Sequence, residues 1–328
     1  MPLSRKIFGG AVIATAAIAA ARVSARRSSP PELPPPGAGI PGSFPWRHAD
    51  LFFTRAGAGP AALLLHDVYD GASGAEMAPL AARLSEGLET TLLDLPGFGR
   101  SGRPRLRFGP DLFFDAIVEF VRHEIDAPAL LIGSGLSAAY AVEAAGRLGR
   151  LALGVVLIAP PEPSGVAGIE IPAWRPLAYQ ALRSPIGDAI RLWRSSAAGR
   201  RRLLERSLAV TPPDIEERAD DLRRFARQPD SGWPVWSLWA GDLAWDPRPA
   251  LSRLGAPALV LWGAEARANA AAPEAYGAVR PDMPQHVVPG TGRWPHLDAP
   301  DAVAERIREW WGGEGVAAVQ PPAKGGRR

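Results

Sequence analysis

The chain has 328 residues, 47% of them hydrophobic, and a formal net charge of only +3. That length can bury one sizeable core or two small ones. So small a net charge argues against an extensive nucleic-acid-binding surface. The absence of cysteine excludes disulfides and thiol catalysis, but it leaves the redox compartment of the protein open.

Residues 1–27 are predicted to be an N-terminal signal or anchor segment. Two basic residues precede an uncharged apolar run at 7–21, and three arginines follow it. The run has the length of a signal-peptide core and is shorter than the roughly 20 residues of a full membrane span. Residues 23–25 resemble a cleavage site, which predicts export after cleavage. The trailing arginines favour the alternative, an uncleaved anchor that makes the membrane a partner.

Two further segments differ in composition from the rest of the chain. Residues 28–46 are rich in proline and glycine and are predicted to be a linker. Residues 313–328, also rich in glycine, proline and basic side chains, are predicted to be disordered. The globular domain is therefore expected over residues 47–312.

Within this domain, apolar runs alternate with segments of helical periodicity. The runs predict strands at 51–54, 61–65, 90–93, 129–132, 153–158, 258–262 and 286–288, and the periodicity predicts helices at 76–84, 111–125, 138–148 and 301–311. This alternation predicts an α/β fold in which a mostly parallel sheet is covered by helices on both faces.

Residues 160–253 interrupt the alternation, since they contain helical stretches and no clear strand. This segment holds six of the 11 tryptophans: Trp174, Trp193, Trp233, Trp236, Trp239 and Trp245. An insertion of this size after a strand is typical of a lid over the strand ends. The aromatic content favours a pocket for a hydrophobic small molecule under the lid. Alternatively, the tryptophans only pack the insertion onto the body.

The strand at 129–132 turns directly into the helix at 138–148. A strand, a sharp turn and a helix form the context of the nucleophile elbow, whose motif is G-x-S-x-G. In this chain the five positions are Gly133, Ser134, Gly135, Leu136 and Ser137. The frame of the motif is present, but glycine replaces its central serine.

Several motifs occur in a characteristic order: LLH at 64–66, DLPGFGRSGRP at 94–104, LIGSGLS at 131–137, LVLWG at 259–263 and GRWPHL at 292–297. With them the chain resembles the α/β-hydrolase fold superfamily, in its lipase, esterase and dehalogenase-like branch, from about residue 50 to 312. The resemblance implies a mostly parallel sheet with a helical lid insertion, and by family a hydrolase.

The resemblance also assigns the catalytic positions, and all three have lost their reactive side chains. It places the nucleophile at Gly135, the acid at Ala266 and the histidine at Arg293. Glycine offers no attacking atom, and alanine cannot orient an imidazole. Arginine cannot act as a base near neutral pH. The chain is therefore interpreted as a pseudoenzyme with a degenerate catalytic triad.

The oxyanion-hole region, by the same resemblance, comprises His66, Asp67, Val68 and Leu136, with backbone N–H groups as donors. Asp67 stands where the family usually has glycine. Its carboxylate would repel a developing oxyanion. This favours a pocket for a cationic or hydrogen-bond-donating ligand. The alternative is that Asp67 points to solvent or caps the next turn.

A displaced catalytic set is also conceivable. Ser134 is next to the elbow position, Glu265 is next to the lost acid position, and His296 is three residues from the lost histidine position. In relatives the histidine corresponding to His296 is often structural. No metal-ligand spacing is present, and the G-x-G-x-x-G at 97–102 belongs to the 94–104 motif, so neither a metal nor another cofactor is expected.

Three functions follow from these observations. The first is a non-catalytic or catalytically altered binder of a small hydrophobic ligand. The second is an active hydrolase of small apolar esters or related bonds that uses the displaced residues. The third is a membrane-tethered interaction module.

Overall fold

A computed structural model describes residues 30–35, 39–162, 175–266 and 271–315. The predicted signal or anchor segment at 1–27 and most of the predicted disordered tail lie outside the described residues. Among the helices of the described ranges, none is long and apolar enough to cross a membrane.

The described residues contain one sheet of eight strands. The strands are β1 (Ile40–Phe44), β2 (Leu51–Ala56), β3 (Ala61–Leu65), β4 (Glu89–Leu93), β5 (Ala129–Ser134), β6 (Ala152–Ile158), β7 (Ala258–Gly263) and β8 (Gln285–Val288). Their order across the sheet is β1-β2-β4-β3-β5-β6-β7-β8. β2 pairs antiparallel with both β1 and β4, and the other pairs are parallel.

Helices follow most strands. They are α1 (Ala78–Leu84), α2 (Pro110–Phe120), α3 (Leu136–Leu148), α4 (Arg175–Arg183), α5 (Pro185–Arg194), α6 (Ala197–Ser207), α7 (Ile215–Ala226), α8 (Gly232–Trp239), α9 (Arg248–Leu251), α10 (Ala272–Val279), α11 (Pro295–Asp298) and α12 (Pro300–Trp310). A 3₁₀ turn at Gly74–Met77 precedes α1, and π-helical turns at Val121–Ile125 and Trp311–Gly315 extend α2 and α12.

The core lies on both faces of the sheet. Alternate residues of the central strands point to opposite faces, so Leu63 and Leu131 join one apolar cluster and Leu64 and Ile132 the other. Helices α2 and α3 cover the first face, and α1 and α12 the second. Burial on both faces explains why these strands are continuous apolar runs without polar alternation. The predicted fold, a mostly parallel sheet with helices on both faces, is confirmed.

The predicted linker at 28–46 is too long. Residues 40–44 form the edge strand β1, and Trp46 is buried. Phe44 anchors this strand by packing edge-on against Phe120, with 5.6 Å between ring centroids. Pro41 is compatible with β1 because an edge strand leaves one side of its backbone unpaired. The second half of this segment, although rich in proline and glycine, therefore forms the edge strand of the sheet and is not a linker.

Helices α4 to α9 lie between β6 and β7 and constitute the helical insertion (residues 175–251). Tyr140 in α3 donates a hydrogen bond to Leu243 O at 2.6 Å, and Phe108 N donates to Ser237 Oγ at 2.9 Å. These buried bonds attach the insertion to the helices and loops above the first face of the sheet.

A buried charged cluster attaches the insertion to the loop after β3. Asp70 Oδ2 lies 2.5 Å from Arg200 Nη2, and it accepts a hydrogen bond from Ser195 Oγ at 2.5 Å. Arg191 Nη1 lies 3.6 Å from the other carboxylate oxygen of Asp70. All four side chains are buried. Because removal of one partner from a buried ion pair leaves an uncompensated charge, this cluster fixes α5 and α6 against the loop.

We expect deletion of residues 1–29 to leave the cooperative thermal transition unchanged. This deletion spares residues 30–35, where Pro31 O accepts a hydrogen bond from Gln228 Nε2 at 2.7 Å. Deletion of residues 1–45 would remove β1 and expose Phe120, so its transition should fall by several degrees. Scanning calorimetry compares the two, and a loss of cooperativity in the shorter deletion would show that the N-terminal segment belongs to the core.

Candidate active site

The elbow is formed by the sharp turn between β5 and α3. β5 ends at Ser134 and α3 begins at Leu136, so Gly135 alone makes the turn, with φ 55° and ψ −126°. Side chains other than glycine adopt this conformation at a cost on the order of 1–3 kcal/mol. The backbone of a nucleophile elbow is therefore present although its side chain is absent.

Strand register brings Asp67 beside this turn. Leu65 of β3 pairs with Gly133 of β5, and Asp67 and Gly135 each lie two residues beyond that pair. The Asp67 side chain is completely buried and its carboxylate fills the space above Gly135. A Cβ atom built on Gly135 would overlap all three atoms of this carboxylate. The carboxylate thus stands where the side chain of an elbow nucleophile would begin.

Asp67 also occupies the oxyanion hole. Its Oδ1 accepts a hydrogen bond from Leu136 N at 2.9 Å and another from Val68 N at 2.7 Å. In the fold, the oxyanion-hole donors are the N–H after the nucleophile and an N–H from the loop after β3. Both donors are already bonded to a resident anion. The interpretation in which Asp67 points to solvent is wrong, because the carboxylate faces inward.

The second carboxylate oxygen pairs with the residue at the lost histidine position. Arg293 Nη2 donates to Asp67 Oδ2 at 2.9 Å, and Trp294 Nε1 donates to the same atom at 3.3 Å. The Arg293 side chain is 48% exposed, so the pair lies at the boundary between the interior and solvent. The cation expected opposite Asp67 is thus supplied by the chain itself.

These contacts decide the charge state of the pair. Burial alone would raise the pKa of Asp67, but the Arg293 guanidinium and the N–H groups of Leu136 and Val68 bring the pKa below its ordinary value. The negative charge of Asp67 in turn raises the pKa of Arg293. Both shifts favour the charged forms, so Asp67 and Arg293 form an ion pair at neutral pH.

A second buried acid lies behind Asp67. Glu76 Oε1 accepts hydrogen bonds from Asp67 N and from His296 Nε2, both at 3.1 Å. Burial, together with the negative charges of Glu76 and Asp67, raises the pKa of Tyr69 well above 10. Tyr69 also packs against Trp294, with 5.0 Å between ring centroids. These groups form a rigid polar layer beneath the ion pair.

His66 has a structural arrangement in the same loop. Its Nε2 accepts a hydrogen bond from Leu95 N at 3.1 Å, so its Nδ1 is the ring nitrogen that can donate, and Asp67 O lies 2.7 Å from it. The ring is fully buried and packs edge-on against Phe98. His66 therefore positions the backbone of Asp67 and has no free nitrogen for proton transfer.

The structure does not assemble the displaced set. His296 is hydrogen-bonded to Glu76 rather than to Glu265, whose side chain is exposed. Ser134 is fully buried, and its Oγ has no hydrogen-bond partner among the described residues. Ser134 follows Ile132 by two positions on β5, so it shares the face of the second apolar cluster. Its hydroxyl therefore points away from the space above Gly135.

Ala266, at the lost acid position, lies in the loop after β7. Its backbone N donates to Gly263 O at 3.3 Å, and the neighbouring Glu265 N donates to Thr291 O at 2.9 Å. These bonds place the loop against the segment that leads to Arg293. In the family, the acid at this position orients the catalytic histidine. In this chain alanine stands at the acid position and Arg293 at the histidine position, so there is no imidazole to orient.

Three residues of the site, Tyr69, Glu76 and Trp294, were not assigned a role from the sequence. Glu76 was predicted only as part of a helix, because its contact with His296 spans 220 positions. Trp294 lies within the GRWPHL motif, and its indole N–H was not recognised as a donor to Asp67. The sequence signal for Trp294 was its place within a motif, and the sequence carried no comparable signal for Glu76.

The fold and site geometry agree with comparison to known proteins. A sequence model described as the alpha/beta hydrolase family matches residues 62–306. The chain belongs to the alpha/beta hydrolase family. In this family the elbow, the oxyanion hole and the late-strand loops lie at one end of the sheet, where Gly135, Asp67 and Arg293 meet here.

One curated relative is the 2-(acetamidomethylene)succinate hydrolase of Mesorhizobium japonicum, 28% identical over 262 residues, which are 76% of this chain and 87% of the relative. A solved E-2-(acetamidomethylene)succinate hydrolase superposes with a TM-score of 0.62 at 23% identity, covering 84% of this chain and 99% of that one. A haloalkane dehalogenase loop variant from Bradyrhizobium elkanii gives 0.67 at 19% identity, covering 85% and 98%. At these identities the structures share the fold.

The chemical capacity of the site follows from its contents. The elbow has no attacking atom, both oxyanion-hole donors are bonded to Asp67, and arginine stands in place of the base. Within the described ranges, no group of three histidine or acidic side chains is arranged to hold a metal ion. At this end of the sheet the arrangement therefore holds the ion pair of Asp67 and Arg293.

We expect Gly135→Ser alone to destabilise the fold by about 2–4 kcal/mol, because the new Cβ overlaps the Asp67 carboxylate and φ is positive. Combined with Asp67→Gly, the same substitution should cost less than the sum of the two single changes. Urea unfolding of the four proteins of this cycle gives the coupling, expected at about 1–3 kcal/mol. Additive costs would place the carboxylate away from Gly135.

Arg293→Met should destabilise the protein by about 1–3 kcal/mol at pH 7. This is less than the usual cost of breaking a fully buried ion pair, because Arg293 is half-exposed. In the wild type the pKa of Asp67 is lower in the folded protein than in the unfolded chain, where it is about 3.9. Ionised Asp67 therefore stabilises the fold at pH values above about 3.9, and this contribution is lost as the pH falls through the folded pKa. In the Arg293→Met variant the guanidinium no longer offsets the effect of burial, so the pKa of Asp67 rises. The stability difference should therefore shrink between pH 7 and about pH 4.

The control is the same substitution in an Asp67→Asn background. There the carboxylate is absent, so the effect of Arg293→Met should not depend on pH. An equal pH dependence in both backgrounds would assign it to other groups.

Proposed function

We propose that this chain is a non-catalytic member of the alpha/beta hydrolase family that binds a small hydrophobic ligand. The observation that carries the proposal is the position of Asp67. Its carboxylate takes the space of the nucleophile and accepts hydrogen bonds from both oxyanion-hole donors. A substrate carbonyl entering the site would have to displace an anion that four hydrogen bonds hold.

The ligand side of the proposal is supported by the aromatic side chains of the insertion. Trp233 and Trp245 pack against the first apolar cluster while remaining partly exposed. Trp245 contacts Phe114 edge-on at 4.9 Å, and its indole N–H has no hydrogen-bond partner in the described part of the chain. A flat apolar ligand would suit the partly exposed faces of these rings. The insertion would then act as a lid.

The alternative function is hydrolysis of small apolar esters or related bonds through other residues. It is supported by the names of the relatives, which are hydrolases. The absence of an assembled Ser134, Glu265 and His296 set argues against it.

Location enters the proposal through the N-terminal segment. We propose either anchoring to a membrane by residues 1–27 or export after cleavage. If residues 1–27 anchor the chain and no ligand binds, the chain would act as a membrane-tethered interaction module. Mass spectrometry of the protein purified under native conditions separates ligand binding from this role, since a bound ligand adds a defined mass.

The wild type should show no covalent labelling by a fluorophosphonate, because no serine hydroxyl in the described part of the chain donates to or lies against the Asp67 carboxylate in the predicted oxyanion hole. The fourfold variant Asp67→Gly, Gly135→Ser, Ala266→Asp, Arg293→His should gain labelling. The threefold variant that retains Asp67 should not, since the carboxylate overlaps the new serine. Triad members act as a unit, so Gly135→Ser with Asp67→Gly alone should recover little.

Circular dichroism and thermal unfolding establish that each variant is folded before labelling. Labelling of the wild type, and mapping of the label to any serine, would contradict the non-catalytic proposal. Labelling at Ser134 would instead support the displaced set.

A further inference from the structure

Helix α5 of the insertion has an apolar face directed to solvent. Ile186, Ile190 and Trp193 are 61%, 50% and 69% exposed. At 3.6 residues per turn their side chains lie within an arc of about 60° on the helix. Isolated exposed apolar residues are common, but three on one helical face form an amphipathic pattern that requires a partner.

The opposite side of α5 is firmly attached to the protein. Gly187 and Arg191 are buried there, and Arg191 Nη1 donates to Ala226 O at 2.8 Å and lies near Asp70. The outward direction of the apolar face is therefore fixed by a buried contact. On the adjacent helix α4, Leu177 is also 71% exposed.

Basic side chains are exposed at the end of α5 and on α6, the next helix along the chain. Arg194 at the end of α5 and Arg202 and Arg206 on α6 are exposed, and none forms an ion pair with another described residue. The nearby acids are already paired: Asp188 with Arg191, and Glu205 with Arg201. The surface around α5 thus combines exposed aliphatic and indole groups with uncompensated positive charge.

The start of the described chain lies against the same insertion. Gln228, just after α7, donates a hydrogen bond to Pro31 O at 2.7 Å, and Phe225 of α7 and Pro34 line one small cavity of about 30 Å³. Pro31, ten positions beyond the end of the apolar run at 7–21, therefore lies beside the helical insertion.

We propose that the outward face of α5 docks onto the surface of an anionic lipid bilayer. Aliphatic and indole side chains on one face of a helix, bordered by arginine, are what an interfacial helix needs to lie among lipid headgroups. The unpaired arginines supply attraction to anionic lipids. A bilayer that held the apolar run at 7–21 would be near the insertion, so both contacts can form together.

The chain contains no cysteine, so single-cysteine variants of the full chain can carry an environment-sensitive nitrobenzoxadiazole label at a chosen position. The test position is Ile190→Cys. The matched control is Val287→Cys, since Val287 is 58% exposed but lies on β8 at the opposite edge of the sheet from β1, outside the insertion. Each protein is mixed with phosphatidylcholine vesicles containing about one-third phosphatidylglycerol and a headgroup-proximal doxyl quencher.

The label at position 190 should shift to the blue and be quenched by the doxyl lipid, whereas the label at 287 should be unaffected. Quenching should weaken in vesicles without phosphatidylglycerol. The full-chain variant Ile190→Glu/Trp193→Glu should lower vesicle binding about tenfold, because it removes two apolar contacts and adds two repelled charges. Val287→Glu should leave binding unchanged.

Three outcomes would overturn the proposal. Equal quenching at both positions, or quenching at neither while the protein is vesicle-bound, would show that α5 does not face the bilayer. A blue shift at position 190 in buffer alone would show that a segment of this chain, or a second copy, covers the face. Retained vesicle binding by the folded Ile190→Glu/Trp193→Glu variant would assign binding to the N-terminal segment only and leave α5 for a protein partner.

Discussion

The buried carboxylate of Asp67 is the group on which the candidate site depends. Removing a carboxylate from water is costly unless hydrogen bonds and an opposite charge compensate it. Asp67 has both, in two backbone N–H groups, one indole N–H and the guanidinium of Arg293. The carboxylate also requires empty space above the elbow, which only glycine at position 135 provides. Asp67, Gly135 and Arg293 therefore depend on one another, because a change at any one of them leaves the other two in an unfavourable environment.

This interdependence gives the lost triad a physical interpretation. If Gly135 were simply a missing serine, the oxyanion hole would be empty and ready to accept a carbonyl oxygen. Instead an anion of the chain occupies it, and the cation at the former histidine position balances that anion. An internal ion pair stands where the family has a reacting group. The sharp turn of the elbow is present with glycine at position 135, and its Leu136 N–H donates to the Asp67 carboxylate.

Much of this could be predicted from the sequence, because it is local. Apolar runs and the ordered motifs predicted the sheet. The family resemblance assigned Gly135, Ala266 and Arg293 to triad positions, and the structure brings Gly135 and Arg293 to the same carboxylate. The direction of the Asp67 side chain was left open, because a sequence position does not decide between a solvent-facing and an inward rotamer. The strand register did decide it, by setting Asp67 level with Gly135.

The remaining differences arise from contacts between distant parts of the chain. The pairing of His296 with Glu76 could not be inferred, since nothing local distinguishes Glu76 from a surface helix residue. Strand β1 was missed because its proline and glycine content is typical of a linker, whereas antiparallel pairing with β2 and packing of Phe44 on Phe120 hold it in the sheet. Long-range packing thus overrode local composition in both cases.

The loop after β3 links two parts of the molecule through two acids three residues apart. Asp67 holds the elbow and Arg293, while Asp70 holds α5 and α6 through Arg191, Ser195 and Arg200. Arg191 and Arg200 of the insertion and Arg293 near the end of the domain therefore converge on one short loop, whose two carboxylates balance cations from both parts of the molecule. The attachment of the insertion and the ion pair above Gly135 thus share the same backbone segment, residues 67–70.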